Sequence, residues 1–226
     1  ANPFDLILDY FLGSGTTIGW DNNAALPMTP LGNGVYSIVE HLTPGSDQFI
    51  KFISVLGNWA PQWGTDATGT AESGPLVYRP TEDVPDPDAI PVGETEGNYY
   101  IVADTVNLTY ETILTTGELY LVGNATPAGW DNTLAIPFEQ DPDTLTKFTL
   151  VVDLAAEGGM KFLEIQGEWA PQWGTLVVDD PVAGGTLAYR PTESEPDPPE
   201  IPAPGTAGSY LITVDLQSTS YTLTPQ

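Results

Sequence analysis

Apolar and polar residues alternate with a period of two along most of the chain. "FIKFISV" (Phe49 to Val55), "KFTLVVDL" (Lys147 to Leu154) and "SYLITVDL" (Ser209 to Leu216) show the pattern, which is that of strands with one buried face. No stretch carries apolar residues convincingly at helical spacing. Turn-forming residues interrupt the alternation roughly every 8 to 15 positions, so the chain is expected to be all-β.

The pattern is written twice. Each copy has an opening strand ("DLILDYFLG" from Asp5; "GELYLVGN" from Gly117), a Gly-Trp-Asp turn, and a second strand ("GVYSIVEHL" from Gly34; "KFTLVVDL"). A third strand follows ("FIKFISV"; "MKFLEIQ" from Met160), then a Trp-rich stretch, a Pro- and acid-rich loop and a closing hairpin beginning at Asn98 or Ser209. "GNWAPQWGT" (Gly57 to Thr65) returns as "GEWAPQWGT" (Gly167 to Thr175). Trp20, Lys51, Trp59 and Trp63 recur 110 residues on as Trp130, Lys161, Trp169 and Trp173. One inserted residue makes the shift 111 for "YRPTE", at Tyr78 to Glu82 and Tyr189 to Glu193. Repeats of this size indicate two tandem antiparallel β-sandwich domains, immunoglobulin-like or carbohydrate-binding-module-like, over residues 1–115 and 116–226. The short join near Leu114 to Gly117 implies a fairly fixed relation between them.

Composition narrows the function. The 226 residues include 31 Asp+Glu against 5 Lys+Arg, a net charge of −26. Such a chain repels nucleic acid and anionic membranes. There is no cysteine, hence no disulfide framework, thiolate metal site or thiol nucleophile. No apolar run approaches the roughly 20 residues of a membrane-spanning helix. The opening "ANPFD" lacks both Met and a leader, and is expected to be the start of a trimmed mature segment.

Against this background the basic residues stand out. All 6 Trp, and 4 of the 5 basic residues (Lys51 with Lys161, Arg79 with Arg190), fall on equivalent positions; Lys147 has no twin. Shared descent, with Trp in the cores and cations paired to carboxylates, is one explanation. Trp20 and Trp130 argue against it, because each sits in a Gly-Trp-Asp-Asn turn, and turns lie on surfaces. In "WAPQW" the proline interrupts any central ladder, so at least one Trp of each pair is expected on a loop, while the other anchors it. Lys51 lies between Ile50 and Phe52, so alternation puts its ammonium on the face opposite them. An exposed indole beside a cation and amide donors suits a neutral, hydroxyl-rich sugar. Stacking on the ring is worth about 0.5–1.5 kcal/mol and each charge-assisted bond about 1.5–3 kcal/mol before losses. A single site of this kind should bind weakly, on the order of 10 μM to 1 mM, and two on one chain give a polymer avidity.

"LYLVGNATPAGWDN" (Leu119 to Asn132), followed by "MKFLEIQGEW" (Met160 to Trp169), resembles the repeated starch-binding domains of the SusE/SusF family, surface glycan-binding lipoproteins of Bacteroidota starch-utilisation systems. The first copy keeps the Gly-Trp-Asp but departs upstream, with "FLGSGTTIGWDNN". The resemblance implies non-catalytic β-sandwiches in which two aromatics cradle an α-1,4-glucan and nearby Lys and Arg bond its hydroxyls. It implies Trp20 and Trp59 as platforms with Lys51 and Arg79 as donors, and likewise Trp130 and Trp169 with Lys161 and Arg190. Trp63 and Trp173 either extend the platforms or are buried anchors; Gln62 and Gln172 are further amide candidates. It also implies an outer-membrane, cell-surface location through a lipid anchor upstream, and a monomer that hands starch or maltooligosaccharide to a neighbouring transporter and amylase.

Other readings stay open: another neutral polysaccharide such as a β-glucan, or a structural, adhesin-like pair of domains without a sugar site. Catalysis is not expected. No pair among the 31 carboxylates is singled out, and the lone His41 meets Asp153 or a neighbour in the second copy. No cofactor or metal is expected. A 12-residue Asp83 to Glu94 loop has EF-hand length, but prolines stand at its third and fifth positions, where ligands should be, so these acidic loops read as solvated and proline-stiffened. Asn107 and Asn124 match the N-glycosylation pattern, which is read as chance.

Overall fold

The computed structural model describes residues 7–177 and 184–226, so Asp5 and Leu6 of the expected opening strand lie outside the described residues. The chain divides into two compact units, Ala1–Leu114 and Thr115–Gln226. Both are antiparallel β-sandwiches. Among the described residues the helical structure is one 3-10 turn at Asn132–Leu134.

Unit 1 runs through β1 (Tyr10–Leu12), β2 (Leu26–Pro27), β3 (Thr29–Gly32), β4 (Val35–Leu42), β5 (Phe49–Ile53), β6 (Gln62–Gly64), β7 (Ser73–Pro75), β8 (Val77–Arg79), β9 (Ile90–Pro91), β10 (Gly97–Asp104) and β11 (Thr109–Leu114). One sheet has the order β2-β1-β5-β6-β8, with β9 also paired to β5; the other has the order β3-β4-β10-β11-β7. Across the first sheet Phe11 opposes Phe52, and Phe52 opposes Trp63. These side chains point inward and meet Ile38, Leu42, Ile101 and Tyr110 of the second sheet in one buried cluster. That cluster is the sandwich core.

Unit 2 repeats the plan with β12 (Tyr120–Val122), β13 (Ile136–Pro137), β14 (Glu139–Gln140), β15 (Lys147–Leu154), β16 (Gly159–Leu163), β17 (Gln172–Thr175), β18 (Gly184–Arg190), β19 (Ile201–Pro202), β20 (Gly208–Asp215) and β21 (Ser220–Pro225). Its sheets meet in one path, β13-β12-β16-β17-β18-β21-β20-β15-β14, because β18 pairs with β17 at one end and β21 at the other. In unit 1 the equivalent strand is split into β7 and β8 about Leu76. Leu76 N–H donates to the Leu108 carbonyl at 2.9 Å as Leu187 N–H does to Thr219 at 2.7 Å, so the corner is the same. None of β7, β8 and β18 is predicted by the alternation pattern.

The outer face of the first sheet positions the site. Leu12 lies opposite Lys51, and Ile53 opposite Gln62, which in turn opposes Arg79. Val122, Lys161, Leu163, Gln172 and Arg190 repeat this arrangement. Alternation therefore gives each sheet a second face, lightly apolar and carrying the rare cations, as the sequence predicts for Lys51.

Candidate functional site

Gly19 and Gly129 have left-handed φ angles of +59° and +58°, a conformation that a side chain at Cβ resists. Each opens the turn on which the next residue, Trp20 or Trp130, projects. Asp21 Oδ1 accepts the Asn23 N–H and Asp131 Oδ1 accepts the Thr133 N–H, both at 3.0 Å, closing the turn. The Asn22 and Asn132 carbonyls then accept the Gly57 and Gly167 N–H groups at 2.9 and 3.0 Å. Those bonds tie the turn to the loop that leads into Trp59 and Trp169.

The result is a tilted pair of indoles in each unit. Trp20 and Trp59 have centroids 6.4 Å apart with planes at 52°; Trp130 and Trp169 are also 6.4 Å apart, at 47°. Trp20 is 40% exposed and Trp130 37%. Trp59 and Trp169 are half-buried against small clusters on the outer face, Leu12 with Ile53 and Val122 with Leu163. Two rings inclined in this way form a shallow, curved apolar surface open to solvent.

Trp63 and Trp173 are corrected from the candidate set. Both are fully buried. They pack against Tyr78 and Tyr189 with centroids 4.5 and 4.4 Å apart and planes tilted by 40° and 34°, and their faces are closed to any ligand. Each ring N–H is satisfied internally, by the Ile7 carbonyl at 3.3 Å in unit 1 and by Glu164 Oε1 at 3.0 Å in unit 2. Both Ala-Pro bonds between the paired Trp residues are cis. The "WAPQW" unit thus has one outward indole and one inward anchor.

Lys51 and Lys161 are 6% and 5% exposed and approach the cleft already engaged. Lys51 Nζ donates to Gln62 Oε1 at 3.2 Å and to Asp86 Oδ1 at 2.8 Å; Lys161 Nζ donates to Asp197 Oδ1 at 2.5 Å. An ammonium has three donors, so neither lysine is exhausted by these bonds.

The role expected of the arginines is revised. Arg79 Nε and Nη2 donate to the carbonyls of Val84 and Glu82, both at 2.7 Å. Arg190 Nε and Nη2 donate to Glu195 at 2.9 Å and Glu193 at 2.8 Å. Each guanidinium also faces Asp86 at 3.7 Å or Asp197 at 3.5 Å. Arg79 does not line the cleft of its unit; Arg190 does. The guanidinium fork chiefly staples the proline-rich loop beside the site.

That Pro- and acid-rich loop, expected from the sequence to be solvated and proline-stiffened, also forms one wall of the cleft, a role the sequence reading does not anticipate. In unit 1 it walls an open cleft of about 580 Å³ with Asp86, Pro87, Asp88 and Ala89, opposite Trp20, Lys51, Trp59 and Gln62. In unit 2 the corresponding cleft is about 340 Å³, and includes Trp130, Lys161, Trp169, Gln172, Arg190 and Asp197. The Thr65 N–H to Asp88 bond of 2.8 Å and the Thr175 N–H to Pro199 bond of 2.9 Å dock the loop on the sheet. The signal was present, because Asp86 and Asp197 keep the same 111-residue shift as the two arginines. Gln172 adds a further observation. It lines the cleft of unit 2 but is 1% exposed; its Nε2 donates to the Trp169 carbonyl at 2.7 Å, and its Oε1 is a buried acceptor with no partner.

His41 and Glu164 are absent from the cleft linings. His41 contacts Asn98 at 3.1 Å and Glu96 at 3.3 Å on the second sheet. Burial pushes the Glu164 carboxyl up to about 7, despite hydrogen bonds from Thr116 N–H, Trp173 and Tyr189 that favour its charged form. It is enclosed beneath Trp173 rather than facing the cleft. Among the described residues no group of three or more His, Asp or Glu is placed to hold a metal ion.

No known family's sequence model matches the chain, and no curated protein matches it. Among solved structures it is similar to the crystal structure of SusF from Bacteroides thetaiotaomicron, at 20% identity and a TM-score of 0.38, over 98% of this chain and 49% of that one. The chain thus spans about half the length of that protein.

Proposed function

We propose that the chain is a non-catalytic binder of neutral glucan, of the α-1,4-linked starch or glycogen type, with one site in each unit. The observation that carries this reading is the duplicated indole pair, 6.4 Å between centroids and inclined by 52° or 47°. A curved chain of pyranose rings can lay its C–H faces on two inclined rings in succession. Lys51 and Lys161 supply charge-assisted donors beside them, and Asp86 and Asp197 accept from sugar hydroxyls. The clefts are open and shallow, within the roughly 300–1,000 Å³ range of ligand sites, which suits a chain that continues past the site at both ends.

Among the described residues, the ionisable groups at the clefts are engaged in ways that suit binding rather than hydrolysis. Glu164, whose carboxyl burial raises to about 7, is enclosed beneath Trp173 away from the clefts, and Asp86 and Asp197 are each paired with a lysine. In this account the protein acts as a monomer at the cell surface, lipid-anchored to an outer membrane, and captures polysaccharide for a neighbouring transporter and surface amylase.

Native affinity electrophoresis with amylopectin, pullulan, laminarin and dextran tests the reading. Retardation by the α-1,4-containing gels, lost in Trp20→Ala/Trp130→Ala, is the expected result. Retardation by laminarin alone would reassign the ligand to a β-glucan, and unchanged mobility in every gel would remove the glycan reading.

A further inference from the structure

The two units stop being copies at one end of the cleft. On the site-facing side of the sheet, two positions before the lysine, unit 1 has Phe49 and unit 2 has Gly159. On the loop that faces it, unit 1 has Ala89 and unit 2 has Glu200. The two differences are coupled. A Cβ on Gly159 would stand 2.1 Å from Glu200 Oε2 and 2.8 Å from its Cβ, so the Glu200 side chain occupies the space over the strand that a side chain at 159 would need. Bulk has moved from strand to loop, and a phenyl ring has been exchanged for a carboxylate.

The strand itself is held alike in both units. Ser14 Oγ accepts the Phe49 N–H at 2.9 Å, and Asn124 Oδ1 accepts the Gly159 N–H at 2.8 Å. Beside the bare backbone of Gly158 and Gly159 a second lobe of about 560 Å³ opens, backed by Pro199 and Pro202. It shares Lys161, Asp197 and Glu200 with the cleft that holds Trp130 and Trp169, so the two spaces adjoin across the lysine.

We infer that the site of unit 2 is longer than that of unit 1: its groove runs from the indole pair past Lys161 into the Gly159 lobe and takes at least one further sugar ring. This rests on the glucan reading above. The lobe is lined by two carboxylates, the Lys161 side chain, prolines and backbone but no aromatic ring, so it recognises hydroxyls by hydrogen bonding rather than stacking. Glu200 and Asp197 select against anionic sugars there. The two units thus differ in ligand length, unit 2 being the one that rewards longer chains.

The test uses the full chain with one site disabled at a time, and titration calorimetry with maltooligosaccharides of two to eight glucose units. In Trp20→Ala, affinity should continue to rise for one or more glucose units beyond the length at which Trp130→Ala reaches its plateau, with a gain of about fivefold for the added contacts. Adding Gly159→Phe/Glu200→Ala to Trp20→Ala restores the unit 1 arrangement, and should abolish that gain, so that affinity reaches its plateau at the same ligand length as in Trp130→Ala. The single change Glu200→Ala, on an exposed loop, should remove part of it. Equal plateau lengths for the two sites, or a length profile unmoved by the exchange, would overturn the inference with the glucan reading intact. No heat with any maltooligosaccharide in the unmodified chain would overturn both.

Discussion

Trp20 and Trp63 separate binding from stability at single positions. Trp20 is exposed enough that its replacement by alanine should change unfolding free energy by about 1 kcal/mol or less while removing the platform of unit 1. Trp63 has no exposed surface, and Trp63→Ala should destabilise by about 3–5 kcal/mol through the cavity it leaves. Urea unfolding of the two variants checks the contrast, and similar losses for both would contradict it. Glu164 offers a second residue-scale prediction, this one in unit 2, where it stands in the place of Ser54. Its folded pKa, about 7, lies above its ordinary value of 4.5, so the native state binds the proton more tightly than the unfolded one. Its stabilising effect is complete below about pH 4.5 and is lost as pH rises towards 7, by about 3 kcal/mol in the limit. Glu164→Gln should therefore flatten the fall in stability between pH 5 and 8. An unchanged slope in that variant would assign the pH dependence elsewhere.

At the scale of elements, the alternating strands and closing hairpins were legible because a half-buried strand has a period its sequence must follow. β18 was not, since "GGTLAYR" (Gly184 to Arg190) turns a corner between sheets and changes pairing partner midway. The inward turn of Trp63 was also hidden. Trp59 and Trp63 are an even number of residues apart, which alternation would put on one face, but the strand begins only at Gln62 and the cis Ala60-Pro61 segment before it follows no period. Trp20, Trp59, Lys51 and their twins could be picked out because they were duplicated in odd settings. The function of the arginines could not, because sequence spacing does not say which acceptor a guanidinium will reach, and here it reaches loop carbonyls. From that staple comes a prediction: Arg79→Met should speed amide hydrogen exchange across Asp83 to Asp88 and weaken unit 1 by about three- to tenfold. Unaltered exchange in the loop would show that the guanidinium does not hold it.

For the whole molecule the meaningful fact is that the same indole pair is built twice in a chain with a net charge of −26. Such a charge repels polyanions, whereas a neutral polymer approaches without penalty, and one long enough to engage both sites gains avidity that a short oligosaccharide cannot. Duplication with altered detail at Phe49/Gly159 and Ala89/Glu200 lets one chain offer two related grooves rather than one groove repeated. The most direct test of the central claim, that the inclined Trp pairs are the sugar-binding surfaces, is the stoichiometry of maltoheptaose binding by titration calorimetry. The account predicts two sites in the unmodified chain, one in Trp20→Ala, one in Trp130→Ala and none in the double variant; binding that persists in the double variant would contradict it.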